Sequence, residues 1–326
     1  MSVVIPTTGL ITSDVALAAE TLRAGKLCAF ATETVYGLGG NALDEQAVAR
    51  IFAAKNRPHF DPLIVHVVSE QWLQRLVREM SPEARQLAAA FWPGPLTLVL
   101  PKTDLVPDLV TSGLPSVAIR IPAHPLAREL LARVDLPIAA PSANPFGQLS
   151  PTTAQHVADS LGEKIDLILD GGPATVGVES TVVSASSHGV ELLRHGGITQ
   201  EQIESVLGFS VTTRTQHSGA APSPGMLLQH YAPTTPLIVT DDWRTVQIDR
   251  RRAGLMLLTP DTSAADFAAV ETLTSDGDLT TAAARFFAAM RRLDQQDLEV
   301  LIAQPFPEVG LGRALNDRLK RAAHRR

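Results

Sequence analysis

The stretch ATETVYGLGGNAL, from Ala31 to Leu43, combines hydroxyls at Thr32 and Thr34 with Gly37, Gly39 and Gly40. Such a turn can present hydroxyls and backbone N–H groups to a polar or anionic ligand. No Lys-Ser or Lys-Thr pair follows, and the glycine spacing is not that of a dinucleotide fingerprint. Taken alone, the segment reads as a glycine-rich strand-to-helix turn. A second stretch, AAKNRPHFDPLIVHV, places Lys55 and Arg57 at the end of a helix that Pro58 stops. Two cations there complement the helix dipole. Followed by Pro58 and Pro62, they can equally grip an anion, and Arg57 suits bidentate recognition of phosphate or carboxylate. His66, inside the apolar run Leu63–Val68, is either a core histidine or a ligand contact. A third stretch, PIAAPSANPFGQLSPT, carries Ser142, Asn144 and Ser150. These are neutral groups able to bind phosphate oxygens, or to make the turn bonds of a Pro-rich loop. Glu179-Ser180-Thr181 opening one strand and Arg194-His195-Gly196-Gly197 leaving another are weaker signals.

No nucleophile elbow and no histidine pair one helical turn apart is present. Cys28 is the only cysteine, so the chain has neither an intramolecular disulfide nor a cysteine zinc cluster, and its apolar setting reads as core. Hydroxyls, a few cations and glycine turns together point to substrate-assisted chemistry on a phosphorylated ligand.

These residues need elements to position them. Thr12-Ser13-Asp14 and Asp44 are helix caps, and Ser81-Pro82-Glu83 is a helix start with proline at the first position. Leu27–Ala31, Leu63–Val68, Leu96–Leu100, Val117–Ile121, Asp166–Leu169, Thr181–Ser184 and Val190–Leu193 read as strands. Strands alternating with helices favour an α/β sheet. From about Gly208 to Thr235 serine, threonine, glycine and proline dominate, the composition of a linker. Beyond it, strands at Pro236–Thr240, Gly254–Leu258 and Leu298–Ala303 alternate with helices at Thr280–Leu293 and Gly312–Ala323. The expected layout is a first domain over 1–207, a linker or lid over 208–235, and a small α/β domain over 236–326. At 326 residues, with 45% hydrophobic and 19% charged residues, such a chain can bury two cores. A net charge of -6 and 5% aromatics argue against a protein that coats nucleic acid through bulk charge. No apolar stretch reaches the ~18 residues a membrane span needs, and the opening residues lack a signal-peptide pattern, so the cytoplasm is expected.

In order and spacing, the segments resemble the YrdC-like family. The matching pieces are TETVYGLG, Lys-x-Arg-Pro followed by PLIVH, PSAN followed by SPT, ESTVV, and Arg-x-Gly-Gly. SPGM…HYAP (Ser223 to Pro233) and the terminal GLGRALNDRL are similar to the longer, two-domain branch. The resemblance implies a YrdC-like twisted mixed sheet with helices, plus a smaller Rossmann-like α/β C-terminal domain. It also implies an enzyme that condenses L-threonine, bicarbonate and ATP into threonylcarbamoyl-AMP and pyrophosphate. Mg²⁺ would accompany ATP, with no metal ligand assigned. The product would pass to a tRNA-modifying threonylcarbamoyl transferase complex, direct tRNA binding being left open. Carried over position by position, Thr34, His66, Arg120, Ala140 and Ser180 would surround L-threonine. Arg57, Asp61, Ser116, Ser142, Ser150 and Arg194, with His230 and Tyr231 of the linker, would face ATP. Lys55, Arg57, Ser142 and Asn144 would form the family's Lys-Arg-Ser-Asn signature. Asp61 stands where the family more often has a neutral polar residue. A structured-RNA-binding module and a carbamoyl transferase-like protein are the alternative readings.

Overall fold

A computed structural model of the chain describes residues 10–186, 189–214 and 231–324. Most of the expected lid, and His230 with it, lies outside the described residues. The caps expected from sequence start their helices. The Asp14 carboxylate accepts from the N–H of Ala16 at 2.8 Å and of Leu17 at 3.1 Å, opening the helix Val15–Arg23. Asp44 opens Glu45–Lys55 and Ser81 opens Pro82–Phe91. Asn56, at φ +51° in the left-handed region, ends the second of these helices between Lys55 and Arg57.

The strands are β1 (Leu10–Thr12), β2 (Cys28–Phe30), β3 (Gly37–Asn41), β4 (Ile64–His66), β5 (Leu96–Pro101), β6 (Ser116–Arg120), β7 (Ile138–Ala139), β8 (Leu167–Leu169), β9 (Thr181–Ser186), β10 (Gly189–Arg194) and β11 (Thr212–Thr213). They form one mixed sheet in the order β1-β8-β2-β3-β7-β4-β6-β5-β9-β10-β11. The glycine run Gly37–Asn41, read from sequence as a turn, is instead the strand β3, antiparallel to β2 and β7. Its glycines serve close packing. A Cβ on Gly39 would stand 2.9 Å from Phe30 and 3.1 Å from Ile138, so a side chain there would have to push its neighbours aside.

A second sheet contains β12 (Leu237–Val239), β13 (Ala253–Leu257), β14 (Ala269–Thr272) and β15 (Val300–Ala303), all parallel in the order β12-β15-β13-β14. The helices Leu279–Asp294 and Leu311–Ala323 pack with it, burying Phe286, Phe287, Met290, Leu293, Leu315 and Leu319. This core does not close on itself. Val35, Leu149 and Val178, from three loops of the first sheet, belong to the same buried cluster, as does Tyr231. Each aliphatic side chain so buried stabilises the contact by roughly 2 kcal/mol. The second sheet's core is thus completed by loops that also border the cleft described next.

Candidate active site

Three loops meet through their backbones. The Tyr36 N–H donates to Pro151 O at 2.9 Å, Leu38 N–H to Pro141 O at 2.7 Å, and Ala143 N–H to Tyr36 O at 2.8 Å. The Thr32–Gly37 turn is thereby joined to both the PSAN and SPT segments. Strand register adds the rest, since His66 on β4 pairs with Arg120 on β6 and with Ile138 on β7. The resulting cleft is lined by residues that include Thr34, Arg57, His66, Arg120, Ala140, Ser142, Ser180, Arg194 and Tyr231.

Within it, Arg120 forms an ion pair with Glu33 at 2.7 Å and donates from Nη1 to the Thr34 hydroxyl at 2.8 Å. Arg194 donates to Ser180 O from Nε at 3.1 Å and to the Ser180 hydroxyl from Nη2 at 3.1 Å. That hydroxyl also meets Thr97 Oγ1 at 2.7 Å. Arg57 pairs with Asp61 at 2.8 Å and reaches the carbonyls of Asp61 and Pro62. His66 is held neutral: burial, reinforced by the Arg120 charge, pushes its pKa down to about 3. Its Nδ1 has no hydrogen-bond partner among the described residues. Burial also raises the Tyr231 phenol, so it stays protonated. Among the described residues the lining holds three guanidiniums and, in Glu179, one carboxylate, so it suits anions, and arginine suits both carboxylate and phosphate.

Other expected site residues stand behind this surface. Lys55 is buried, and its Nζ donates to Ser142 O at 2.6 Å and Asn144 O at 2.5 Å, so it holds the PSAN loop from beneath. Burial, with the Arg57 charge adding to it, drives the Lys55 pKa well below the ordinary lysine value. Asn144 donates to Pro145 O and Gln148 O, both at 2.9 Å, within the same loop. Asp61 is fully buried against Arg57 and does not line the cleft. The Ser150 hydroxyl is given to Glu179 at 2.5 Å, and Ser116, at the start of β6 opposite Pro101 of β5, is not in the lining either. Among the described residues no group of three His, Cys, Asp or Glu side chains could hold a metal ion.

A profile of the Sua5–YciO–YrdC family, described as "Telomere recombination", matches residues 20–196. The chain belongs to this family. A second profile, described as "Threonylcarbamoyl-AMP synthase, C-terminal domain", matches residues 198–324. The threonylcarbamoyl-AMP synthase of Pyrococcus abyssi (strain GE5 / Orsay) is 43% identical, over 94% of this chain and 93% of that one. The synthase of Bacillus subtilis (strain 168) is 44% identical over 96% and 94%. The crystal structure of P. abyssi Sua5 complexed with L-threonine is 41% identical, covers 97% of both chains, and superposes with a TM-score of 0.89. In this member of the Sua5–YciO–YrdC family the reading from sequence gave no partner to three charged residues. Glu33 is paired to Arg120, Glu179 is held by Ser150, and Arg318 of the second sheet's terminal helix reaches Glu179 at 3.0 Å. Arg318 lies inside the terminal GLGRALNDRL segment, but its role is signalled only by its place on the apolar side of an amphipathic helix.

Proposed function

We infer that this chain is a threonylcarbamoyl-AMP synthase, an ATP-using enzyme that transfers an adenylyl group. Kinship over nearly the full length with synthases of two distant organisms carries the reading. The lining of the cleft supports it, because it gathers three arginines and several hydroxyls able to hold anionic ligands. The reaction needs no protein nucleophile. The threonine amine is carboxylated with bicarbonate to a carbamate, and water is lost. A carbamate oxygen then attacks the α-phosphorus of ATP, and pyrophosphate leaves. Three ligands have to be held in line while negative charge is stabilised.

In this proposal Arg120, with Thr34, His66, Ala140 and Ser180, receives L-threonine, the guanidinium facing the carboxylate. Arg57, Ser142 and Arg194 face ATP, with Tyr231 and Ser150 at its border, while Lys55 and Asn144 hold the PSAN loop in shape. Asp61 serves ATP only through Arg57. Mg²⁺ would enter with the ATP phosphates. The residues present build no cage for it, since Glu33, Asp61 and Glu179 are each engaged by an arginine. The product would pass to a tRNA-modifying transferase. No helix of the described residues is long and apolar enough to cross a membrane, and the cytoplasm is the proposed location.

The test is incubation with ATP, Mg²⁺, bicarbonate and single amino acids, with the nucleotide product identified by mass. Pyrophosphate release that requires both threonine and bicarbonate, with threonylcarbamoyl-AMP as product, is expected. ADP as the product would overturn the adenylate mechanism.

A further inference from the structure

One guanidinium of the second domain touches both flanks of the cleft's nucleotide side. Arg318 lies on the helix Leu311–Ala323 and is fully buried. Its Nε donates to Glu179 Oε2 at 3.0 Å, and Nη2 stands 3.0 Å from the same oxygen. The other oxygen of Glu179 accepts the Ser150 hydroxyl at 2.5 Å. Glu179 immediately precedes Ser180, whose carbonyl and hydroxyl hold Arg194. Arg318 Nη1 donates to His195 O, the residue after Arg194, at 2.6 Å, and its guanidinium lies 5.2 Å from the centre of the Tyr231 ring. A second arginine of this domain, Arg291, donates to Leu149 O at 2.5 Å, directly before Ser150.

We propose that Arg318 is a positioning residue for ATP: through Glu179 it fixes the Ser150 hydroxyl, and through His195 it fixes the Arg194 turn. The second domain is then part of the active site. This rests on the reading above in which Ser150 and Arg194 border ATP. Simple docking would be the competing role, and the energetics disfavour it. A buried ion pair holds two domains together no better than apolar packing of the same volume, because desolvation offsets its attraction. Val35, Leu149 and Val178 already supply that packing. What the pair adds is a fixed direction for each carboxylate oxygen. The turn it grips packs directly on the Ser180 segment, since a Cβ on Gly196 would fall 2.3 Å from Glu179 O.

The experiment uses the full chain with Arg318→Met, Arg318→Lys, Glu179→Gln and the double variant Arg318→Met/Glu179→Gln. KM for ATP and for threonine is measured separately by pyrophosphate release, and ATP binding alone by calorimetry. Losing a charged hydrogen bond that orients the site should raise the KM for ATP in Arg318→Met by ~10-fold or more. The KM for threonine should move by less than about twofold. Arg318→Lys, which keeps the charge without the fork, should fall between, and the double variant should be no worse than Arg318→Met because both act along one chain of contacts. Unchanged ATP affinity in a folded Arg318→Met, or fully additive effects in the double variant, would overturn the proposal. Should Arg318→Met fail to fold, Arg318→Lys and Glu179→Gln decide, since wild-type ATP affinity in both is equally fatal. A wild-type protein that binds ATP but releases no threonine-dependent pyrophosphate would sink the synthase reading alone, and the calorimetric comparison would still judge Arg318.

Discussion

Replacing Asp61 by alanine asks whether this carboxylate serves the arginine beside it or the nucleotide. Its Oδ2 lies 2.8 Å from Arg57 Nη2, with 3% of the arginine side chain and none of the aspartate exposed. At the surface such a pair would contribute under ~1 kcal/mol. Buried, the loss of one partner costs roughly 3–5 kcal/mol, because the other charge stays desolvated. Here the Asp61 and Pro62 carbonyls still accept from Arg57, at 3.1 and 2.9 Å, so the loss should lie near the lower end. About 3 kcal/mol lowers the folded-to-unfolded ratio by more than 10². Equilibrium urea unfolding followed by circular dichroism would show it as a lower midpoint, and Asp61→Asn should lie between wild type and alanine. The nucleotide should notice far less. Arg57 keeps its two backbone anchors and loses a competing anion, so the KM for ATP should stay within about threefold. An Asp61→Ala variant with the wild-type urea midpoint and a tenfold or greater rise in that KM would refute this reasoning and put the carboxylate against ATP itself.

Gly177→Ala should destabilise the protein by more than ~2 kcal/mol, since a side chain at its left-handed φ is strained. The observed φ is +76°, and the new Cβ would also fall 2.3 Å from Ala283 O of the second domain; a urea midpoint equal to wild type would contradict this. Thr34→Val removes the hydroxyl that accepts from Arg120 at 2.8 Å. One buried donor left unpaired costs ~1–3 kcal/mol, so kcat/KM for threonine should fall at least about fivefold while the KM for ATP holds, as steady-state assays varying each substrate would show. His66 sets an acid limit on stability, because its pKa is about 3 in the fold against 6.5 in the unfolded chain. The unfolded state therefore takes up the proton first, so this contribution is complete above pH ~6.5 and declines as pH falls, by roughly 3 kcal/mol at pH 4. His66→Gln should flatten urea-derived stability between pH 6.5 and 4, and parallel slopes in variant and wild type would reject the assignment.

Local signals were the legible ones. Asp14, Asp44 and Ser81 start helices by bonding N–H groups two or three residues ahead, a contact written in adjacent letters. Pro58, directly after Arg57, marked the end of the helix that carries Lys55 in the same way. Strand β3 was hidden because glycine is depleted in strands, and what places it there is the bulk of Phe30, Ile138 and Ile51 across the packing. Strand β14 was hidden because Ala269–Thr272 is an edge strand with no fully buried residue, so it lacks an apolar run. Asp61 lies four residues from Arg57 and could have been read as its partner. Glu33 could not, since Arg120 enters only through strand pairing.

Arg318 is the instructive case. In the helix Leu311–Ala323, Ala314, Leu315, Leu319 and Ala322 form the buried stripe, and Arg318 falls within it at the spacing of one turn. Read as composition, the segment is a basic terminal helix, and one more arginine carries no information. Read as a face, it is a cation where a hydrophobe belongs, and a buried guanidinium requires an anion to meet it. One anion was adjacent, since Asp317 Oδ2 lies 3.0 Å from Arg318 Nη1, but the other, Glu179, is 139 positions away and meets Arg318 only where the second domain packs against the first. That polar partners must exist follows from the periodicity alone. A charged residue on the apolar stripe of an amphipathic helix therefore marks where that helix touches another body, and here the body it touches is the wall of the cleft.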